Sequence, residues 1–148
     1  MNYPNDTLTH ITAHIASITE SKSSELLVLY QHISALFKND QLWFDDGKNS
    51  DGKVVTNPTI GFGNLQLETV KGKTKDVFQV GLSGHSTGIS VYIIGLKDKT
   101  LLNQFIGNKL GKAKITGYCI KFKSLKDIDL EVLLNAIQFG ISQVKELK

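Results

Sequence analysis

Arginine is absent from this sequence, and all 17 basic residues are lysines. Arginine is the side chain that grips guanine edges, phosphates and carboxylates through two parallel hydrogen bonds. Lysine holds a phosphate only as a point charge. With a formal net charge of only +3, the composition makes nucleic acid an unfavoured partner, although phosphate binding by lysine stays open.

Cysteine is almost absent as well. The single Cys119 excludes a disulfide within the chain, which makes a reducing cytoplasm the default compartment. There is no secretory segment and no apolar run near the roughly 20 residues that a membrane span needs. We therefore expect one cytoplasmic domain over residues 1–148 without a membrane partner, with a loose terminus at 1–6 and an irregular loop or insertion at 39–57.

The patterns of known catalytic sites are also missing. Gly61-Phe62-Gly63 is a lone G-x-G, and the Gly111-Lys112 pair lacks the spacing of a Walker loop. Cys119 has no His-Asp or His-Asn companion that the sequence can assign. The sequence therefore favours a binding protein over an enzyme, and it names no cofactor.

What the sequence does contain is a stretch typical of an antiparallel sheet. Between Thr59 and Gly95, three runs of Val, Ile, Leu, Phe and Tyr are joined by glycine-containing turns at 71–74 and 83–88. This is typical of a β-meander. A later run, Tyr118–Phe122, predicts another strand of the same sheet.

Helical spacing of apolar residues occurs on both sides of the meander. Two helices are predicted before it, the second at Ser24–Phe37 after a polar break at Glu20–Ser24. A short helix is predicted from Asp98 to Gly111, and the last begins after a cap at Asp127 or Asp129. The predicted fold is α+β: two layers, with an antiparallel sheet of about five strands and helices mainly on one face. Three residues of the last helix are expected under the sheet: Leu134, Ile137 and Ile141.

Two segments of the chain carry a family resemblance. They are PTIGFGNLQL followed by DVFQVGLSGHSTGISVYI, and LGKAKITGYCIKFKSLKDIDLEVL. The first is similar to the strand meander of the YdhG-like family (domain of unknown function, family 1801), which begins with a Pro-Ser-Ile-x-Gly-Phe-Gly pattern. The second is similar to that family's Leu-Gly-Lys-x-Lys-x-Gly loop, cysteine strand and Asp-x-Asp helix start. From Pro58 onward the chain resembles this family.

The resemblance implies a fold similar to the secretion-chaperone-like α+β architecture rather than a reaction. Some members have been compared with frataxin-type iron chaperones, which makes iron handling an alternative function. The sequence departs from the family pattern in two places. It carries an insertion between Trp43 and Pro58, and it has Gly84-His85-Ser86 where many relatives have a basic Pro-Arg-Lys.

Strand alternation predicts a polar face on the sheet. Ile120 and Phe122 form the stronger apolar pair and are assigned to the core, so Cys119 points to the other side. Cys119 is expected within reach of Tyr92 or Gln66. Such a face could line a shallow pocket, form a homodimer surface, or be solvated without a partner. The residues predicted to form it are Asn64, Gln66, Glu68, Gln79, Ser83, Ser90, Tyr92, Cys119 and Lys121.

Histidines and aspartates provide candidate metal ligands. His10 and His14 lie four residues apart on the first helix, the spacing at which two imidazoles can share a metal. Four carboxylates, which are ligands for hard cations, concentrate in the irregular loop. The EF-hand spacing and the zinc-protease glutamate are both lacking, so interfacial histidines and a solvated turn are the simpler interpretation. The four carboxylates belong to Asp40, Asp45, Asp46 and Asp51.

Lys112 and Lys114 lie in a glycine-containing loop predicted at 111–117. From Lys97 to Lys126 there are eight lysines and one acid, Asp98. Backbone N–H groups and lysines can together hold an anion. The simpler interpretation is that the glycines stop a helix and turn the chain, while the lysines are solvated.

The leading hypothesis is a non-catalytic domain that binds a small molecule or a protein on the polar sheet face. A weaker alternative is thiol chemistry at Cys119, because a neighbouring Lys121 can lower a thiol pKa. The competing class is frataxin-like metal handling. Its ligands would be His10, His14, Asp45, Asp46 and Asp51.

Overall fold

A computed structural model describes residues 5–17, 20–37, 42–55, 58–68, 72–85, 88–96, 98 and 100–146. Within these residues the chain forms four α-helices and eight β-strands, with a 3-10 helix at Leu125–Asp127. The α-helices are α1 (Asn5–Ser17), α2 (Glu20–Leu36), α3 (Leu101–Ile106) and α4 (Leu130–Glu146). The strands are β1 (Leu42–Asp45), β2 (Thr59–Phe62), β3 (Leu65–Glu68), β4 (Thr74–Val77), β5 (Val80–His85), β6 (Gly88–Ile93), β7 (Lys114–Thr116) and β8 (Cys119–Phe122).

Six of the strands form one antiparallel sheet in the order β1-β2-β5-β6-β8-β7. The centre of the predicted meander is confirmed, because β2, β5 and β6 are neighbours in this sheet. The later strand, β8, pairs with β6, as the run Tyr118–Phe122 predicted. The fold is therefore α+β with an antiparallel sheet.

The first and second runs of the meander are interrupted. The chain leaves the main sheet at Gly63, whose φ of 79° is unfavourable for other residues. A Cβ atom there would also lie 2.7 Å from the Phe37 ring. Beyond Gly63, β3 pairs only with β4 in a separate two-stranded sheet, and the chain returns to the main sheet at β5.

Both edge strands of the main sheet lie in segments that were predicted to be irregular. Leu42–Asp45 is strand β1, paired with β2, and the chain beyond it forms a small hairpin with a bridge between Lys48 and Val54. The segment predicted as an irregular loop or insertion therefore contains one strand and a small hairpin. The predicted loop 111–117 contains strand β7, which pairs with β8.

The first two helices are longer than predicted. Helix α1 begins at Asn5, so the loose terminus is wrong for residues 5 and 6, while residues 1–4 lie outside the described part. Helix α2 begins at Glu20 and continues through the predicted polar break. Polar residues here are compatible with a helix because Lys22 and Glu25 bind the chain after β8. Helix α3 is shorter than predicted and ends before Gly107.

The helices cover one face of the sheet. Leu26 of α2 lies against Gly84 of β5, where a Cβ atom would be 3.1 Å from the leucine methyl groups. Gly140 of α4 lies so close to Ile93 of β6 that a Cβ atom would overlap the isoleucine Cγ2. Alternation puts Gly84 and Ile93 on the same side of the sheet as the fully buried Leu82. Among the described residues, no helix is both long and apolar enough to cross a membrane.

Helix α4 presents a slightly different face from the predicted one. Ile137 is fully buried as expected, but Leu134 and Ile141 are only partly buried. The fully buried neighbours of Ile137 are Leu133 and Ala136. The close contact of Gly140 with Ile93 is on this same face of α4, which therefore packs on the sheet. The spacing of leucine and isoleucine residues alone did not indicate this face.

We expect Leu133→Ala to destabilise the protein by about 2–5 kcal/mol, because it leaves a cavity in a fully buried site. Leu134→Ala is the matched control, since it removes the same atoms from a partly buried neighbour and should have a clearly smaller effect. Urea unfolding of both variants measures the difference. Equal losses, or a larger loss at Leu134, would contradict the orientation of α4.

Candidate anion-binding site

The register of the main sheet arranges polar residues in rows on the face away from the helices. Lys121 of β8 lies opposite Ser90 of β6 on one side and Lys114 of β7 on the other. The next row places Cys119 opposite Tyr92. Because successive side chains of a strand point to opposite faces, the residues between these rows point into the core. Ser90, Tyr92, Cys119 and Lys121 therefore lie on one side of the sheet, as strand alternation predicted.

The middle of this face is covered. A Cβ atom on Gly61 or on Gly81 would lie 2.7 Å from the Phe78 side chain, so only glycine at both positions leaves room for that ring. Ser83 is buried and donates a hydrogen bond of 2.8 Å to the Pro58 carbonyl. The exposed part of the face lies toward β8 and β7, where Lys114 and Lys121 are exposed.

A cavity of about 540 Å³ lies at this exposed end of the sheet. Four lysines and one aspartate line it, which leaves three positive charges in surplus. We call it the lysine cavity. Its lining residues come from the start of β6, the segment leading into β7, the end of β8 and the 3-10 helix: Gly88, Ile89, Ser90, Lys112, Ala113, Lys114, Lys121, Phe122, Lys123 and Asp127.

The hairpin of β7 and β8 brings the lysines together. Lys114 and Lys121 are direct cross-strand partners. Lys112 and Lys123 lie two residues further along the same two chains, at bends of the backbone just outside the paired strands, and both line the cavity. The hairpin turns at Gly117, whose φ of 56° is readily adopted by glycine.

One wall of the cavity is pinned by backbone contacts. The Lys112 N–H donates a hydrogen bond of 2.9 Å to the Asp127 carbonyl, and the Asp129 N–H donates one of 2.8 Å to the Leu110 carbonyl. Gly111, between them, has a φ of 116°, and a Cβ atom there would lie 2.5 Å from the Asp127 carbonyl oxygen. Glycine at this position is therefore required for the close contact that places Lys112 beside Asp127.

Helix α2 holds the other side of the same segment. One Glu25 carboxylate oxygen accepts a hydrogen bond of 2.6 Å from the Leu125 N–H, and the other accepts one of 3.1 Å from the Ser124 hydroxyl. The Lys22 ammonium donates to the Lys123 carbonyl oxygen. These contacts fix the chain between β8 and α4, which supplies Lys123 and Asp127 to the cavity.

The charges of the lysine cavity oppose folding. Like charges directly opposite each other on neighbouring strands are destabilising, and Lys114 and Lys121 form such a pair. Lys112 and Lys123 add to the same positive field, and Asp127 is the single carboxylate among the lining residues. An anion in the cavity would relieve this repulsion. The arrangement is therefore suited to binding an anion.

We expect Lys121→Gln to increase the free energy of unfolding at low salt by about 0.2–1 kcal/mol, because it removes the cross-strand repulsion with Lys114. The gain should shrink at 1 M salt, where the screening length falls to about 3 Å. Lys126→Gln is the control, since Lys126 is exposed but does not line the cavity. Urea unfolding at both salt concentrations tests this, and a loss of stability at low salt would contradict it.

The structure brings two groups of predicted site residues together. Ser90 and Lys121, assigned to the polar face, line the same cavity as Lys112 and Lys114, assigned to a basic loop. The sequence predicts two separate sites here, because the segment 111–117 lacks the pattern of a strand. Tyr92, also predicted for this face, lies in the neighbouring row and is partly exposed.

Four predicted members of the polar face are corrected. Asn64 follows the break at Gly63, and Gln66 and Glu68 belong to β3, outside the main sheet. Cys119 therefore lies opposite Tyr92, while Gln66 belongs to the separate two-stranded sheet. Gln79 is buried and is not among the residues that line the lysine cavity.

Two lining residues were missing from the predicted site. Alternation with Lys121 already placed Lys123 on the polar face, so its signal was present in the sequence. Asp127 was considered only as a helix cap. The cap is in fact Asp129, whose carboxylate accepts hydrogen bonds of 3.0 and 3.3 Å from the N–H groups of Glu131 and Val132.

Cys119 does not belong to the lysine cavity. It is partly buried, and this burial raises the pKa of its thiol, an effect that the nearby Lys121 charge opposes only in part. A raised pKa leaves less thiolate at neutral pH, and the thiolate is the reactive form. The environment of Cys119 thus disfavours the thiol chemistry considered as a weaker alternative.

We expect native Cys119 to react with iodoacetamide more slowly than the urea-unfolded chain at pH 7–8. The rate of the native protein should rise at a higher pH than that of the unfolded chain, because burial raises the thiol pKa. Lys121→Gln should move this rise further upward, since it removes the charge that lowers the pKa. A native thiol that reacts faster than the unfolded one at neutral pH would contradict this account.

Only three of the five predicted metal ligands lie around one cavity. His10, Asp45 and Asp46 line a second cavity of about 380 Å³ together with Phe44. Both aspartates form hydrogen bonds within their own loop. Asp45 accepts one of 2.8 Å from the Gly47 N–H, and Asp46 accepts one of 2.9 Å from the Lys48 N–H.

The other candidate ligands add no donor to that cavity. His14 packs with its ring centroid 5.6 Å from that of Phe44, and burial lowers its pKa. Asp51 is exposed in the small hairpin, and Asp40 lies outside the described residues. Across the described ranges, no three His, Cys, Asp or Glu side chains are placed to hold a metal ion.

Comparison with known proteins identifies no relative. No family model, no curated protein and no solved structure matches this chain. The YdhG-like assignment therefore rests on the sequence segments quoted above and stays a prediction. Function has to be argued from the residues of the site, because a fold class alone is compatible with many functions.

Proposed function

We propose that this protein binds a small anionic molecule in the lysine cavity. The observation that carries the proposal is the convergence of Lys112, Lys114, Lys121 and Lys123 on one cavity of about 540 Å³. Ligand cavities of proteins commonly measure about 300–1,000 Å³. A concave site of this size favours a small molecule over a protein or a second copy of this chain, which were the broader expectations for this face.

The chemistry of lysine suits such a ligand. Each ammonium carries three rotatable N–H donors and a full charge, so four of them can adapt to an anion without the fixed geometry of arginine. Ser90 contributes a hydroxyl beside Lys121 at the base of the cavity. The role is binding rather than catalysis, because Cys119 lies outside the lining and its thiol pKa is raised. A cytoplasmic location is part of the proposal and rests on the single cysteine.

Metal handling is the second candidate, and it has weaker support. The observation in its favour is that His10, Asp45 and Asp46 share one cavity. The two carboxylates already accept backbone hydrogen bonds within their loop. Titration with ferrous iron, followed by NMR signals of residues around Phe44, would decide this candidate separately from the lysine cavity.

We expect isothermal titration at low salt to detect saturable binding of at least one small anion from a panel of phosphate, pyrophosphate and citrate. Each lysine replaced by alanine should weaken this binding by about tenfold, as expected for a charged hydrogen bond. The variants for this test are Lys114→Ala and Lys121→Ala, with Lys126→Ala as the charge-matched control outside the cavity.

The panel also contains the result that would overturn the proposal. If none of the three anions binds saturably, or if Lys114→Ala and Lys121→Ala bind as well as the unchanged protein, the lysine cavity is not an anion site. Raising the salt concentration should weaken true binding, because the ammonium groups act through their charge.

A further inference from the structure

Ser90 is a buried polar residue at the base of the lysine cavity. It is only 3% exposed, yet it is one of the lining residues. Within the part of the chain that the structure describes, no other group forms a hydrogen bond with the Ser90 hydroxyl. Buried polar groups nearly always have a partner, so a hydroxyl without one calls for an explanation. A ligand in the cavity would supply that partner.

The neighbouring serine shows a hydroxyl that does have a partner in the fold. Ser83 of β5 lies directly opposite Ser90 of β6. It is fully buried and donates a hydrogen bond of 2.8 Å to the Pro58 carbonyl. The two serines therefore occupy one row on the same face of the sheet, but only the hydroxyl of Ser83 is used by the fold. The hydroxyl of Ser90 is left for the cavity.

The same row continues with two lysines. Ser90 is paired with Lys121, and Lys121 is paired with Lys114, so the strand register fixes the order of the three residues. Neighbouring strands lie about 4.7–4.9 Å apart. The lysine ammonium groups stand on flexible stems and can turn toward the serine hydroxyl. The row therefore offers one hydroxyl and two ammonium groups to a single anionic group.

An esterified phosphate group matches this row in acceptors and in charge. It presents three strong acceptor oxygens and carries about −1.5 to −2 at pH 7. Each of the three donor groups can meet one oxygen, and the two ammonium charges balance the phosphate. A carboxylate presents only two oxygens and less charge, so it would leave part of the row without a partner.

The cavity has room for more than the phosphate group. Its volume of about 540 Å³ lies within the range of about 300–1,000 Å³ that is usual for small-molecule sites. Gly88 lies two residues before Ser90, and a Cβ atom there would be 2.8 Å from the Phe122 carbonyl oxygen. The lining next to Ser90 therefore carries no side chain at Gly88, and Ala113 adds only a methyl group. This part of the cavity suits an uncharged organic group.

From these observations we infer that the ligand is a phosphate monoester of a small organic molecule, with its phosphate held by Ser90, Lys121 and Lys114. This inference rests on the proposed anion binding and specifies its ligand. Lys112 and Lys123 add to the positive potential of the cavity, and no individual contact is assigned to them.

The first test compares four ligands by isothermal titration at pH 7 and low salt. Phenyl phosphate and glycerol 3-phosphate are the monoesters, and orthophosphate is the control without an organic group. Phenyl sulfate is the matched control for charge, since it has the shape of phenyl phosphate but a lower charge. We expect phenyl phosphate to bind at least tenfold more tightly than phenyl sulfate, and at least one monoester to bind at least tenfold more tightly than orthophosphate.

The same titrations separate this inference from the proposed function. If phenyl sulfate binds as tightly as phenyl phosphate, or if orthophosphate binds as tightly as both monoesters, the ligand class inferred here is wrong. Anion binding at Lys114 and Lys121 would then still stand. If no anion binds to the unchanged protein, the proposed function fails as well.

The second test replaces the two serines of the row. Ser90→Ala should weaken binding of the tighter monoester about tenfold, because it removes a hydrogen bond to a charged group. The urea midpoint of the unliganded variant should not fall, since this hydroxyl has no partner in the described part of the fold. Ser83→Ala is the matched control. It should lower the urea midpoint, because it breaks the bond to the Pro58 carbonyl, and it should leave the affinity unchanged. Unchanged affinity in Ser90→Ala, or equal losses of affinity in both variants, would contradict the assignment of Ser90.

Discussion

The pairing of Val91 on β6 with Ile120 on β8 sets the character of both faces of the sheet. Both side chains are fully buried on the helical side. A shift of one residue would place Lys121 there instead, and burying an unpaired lysine costs several kcal/mol. The core therefore locks the register, and the register sends Cys119 and Lys121 to the opposite face. The positive charge of the cavity is a consequence of this apolar contact.

The lysine cavity combines local electrostatic conflict with a firmly held backbone. Lys114 and Lys121 repel each other across the strands, yet the chain around them is tied down at two places. Glu25 holds the segment after β8 from helix α2, and Gly111 permits the close contact of the Lys112 N–H with the Asp127 carbonyl. A locally unfavourable arrangement, such as this pair of like charges, is expected at functional sites when the rest of the fold holds it in place.

Much of the fold could be predicted from periodicity, and the failures have physical causes. The central strands were found because Ile89, Val91 and Ile93 alternate with polar residues. The break at Gly63 was missed because its positive φ and its contact with Phe37 exist only in the folded chain. Strand β7 was taken for a loop because Lys114–Thr116 has a single apolar residue and depends on β8 for its pairing.

The sequence by itself determined which side chains of each strand share a face, since alternation is a property of the extended backbone. It thus predicted that Ser90, Tyr92, Cys119 and Lys121 lie on one side of the sheet. Only the tertiary structure decided that Lys112 and Lys114 join Lys121 and Lys123 around one cavity, because that depends on the β7–β8 pairing. Glu25 acts on Leu125 across 100 residues, and a contact at this separation arises from packing that local sequence patterns do not encode.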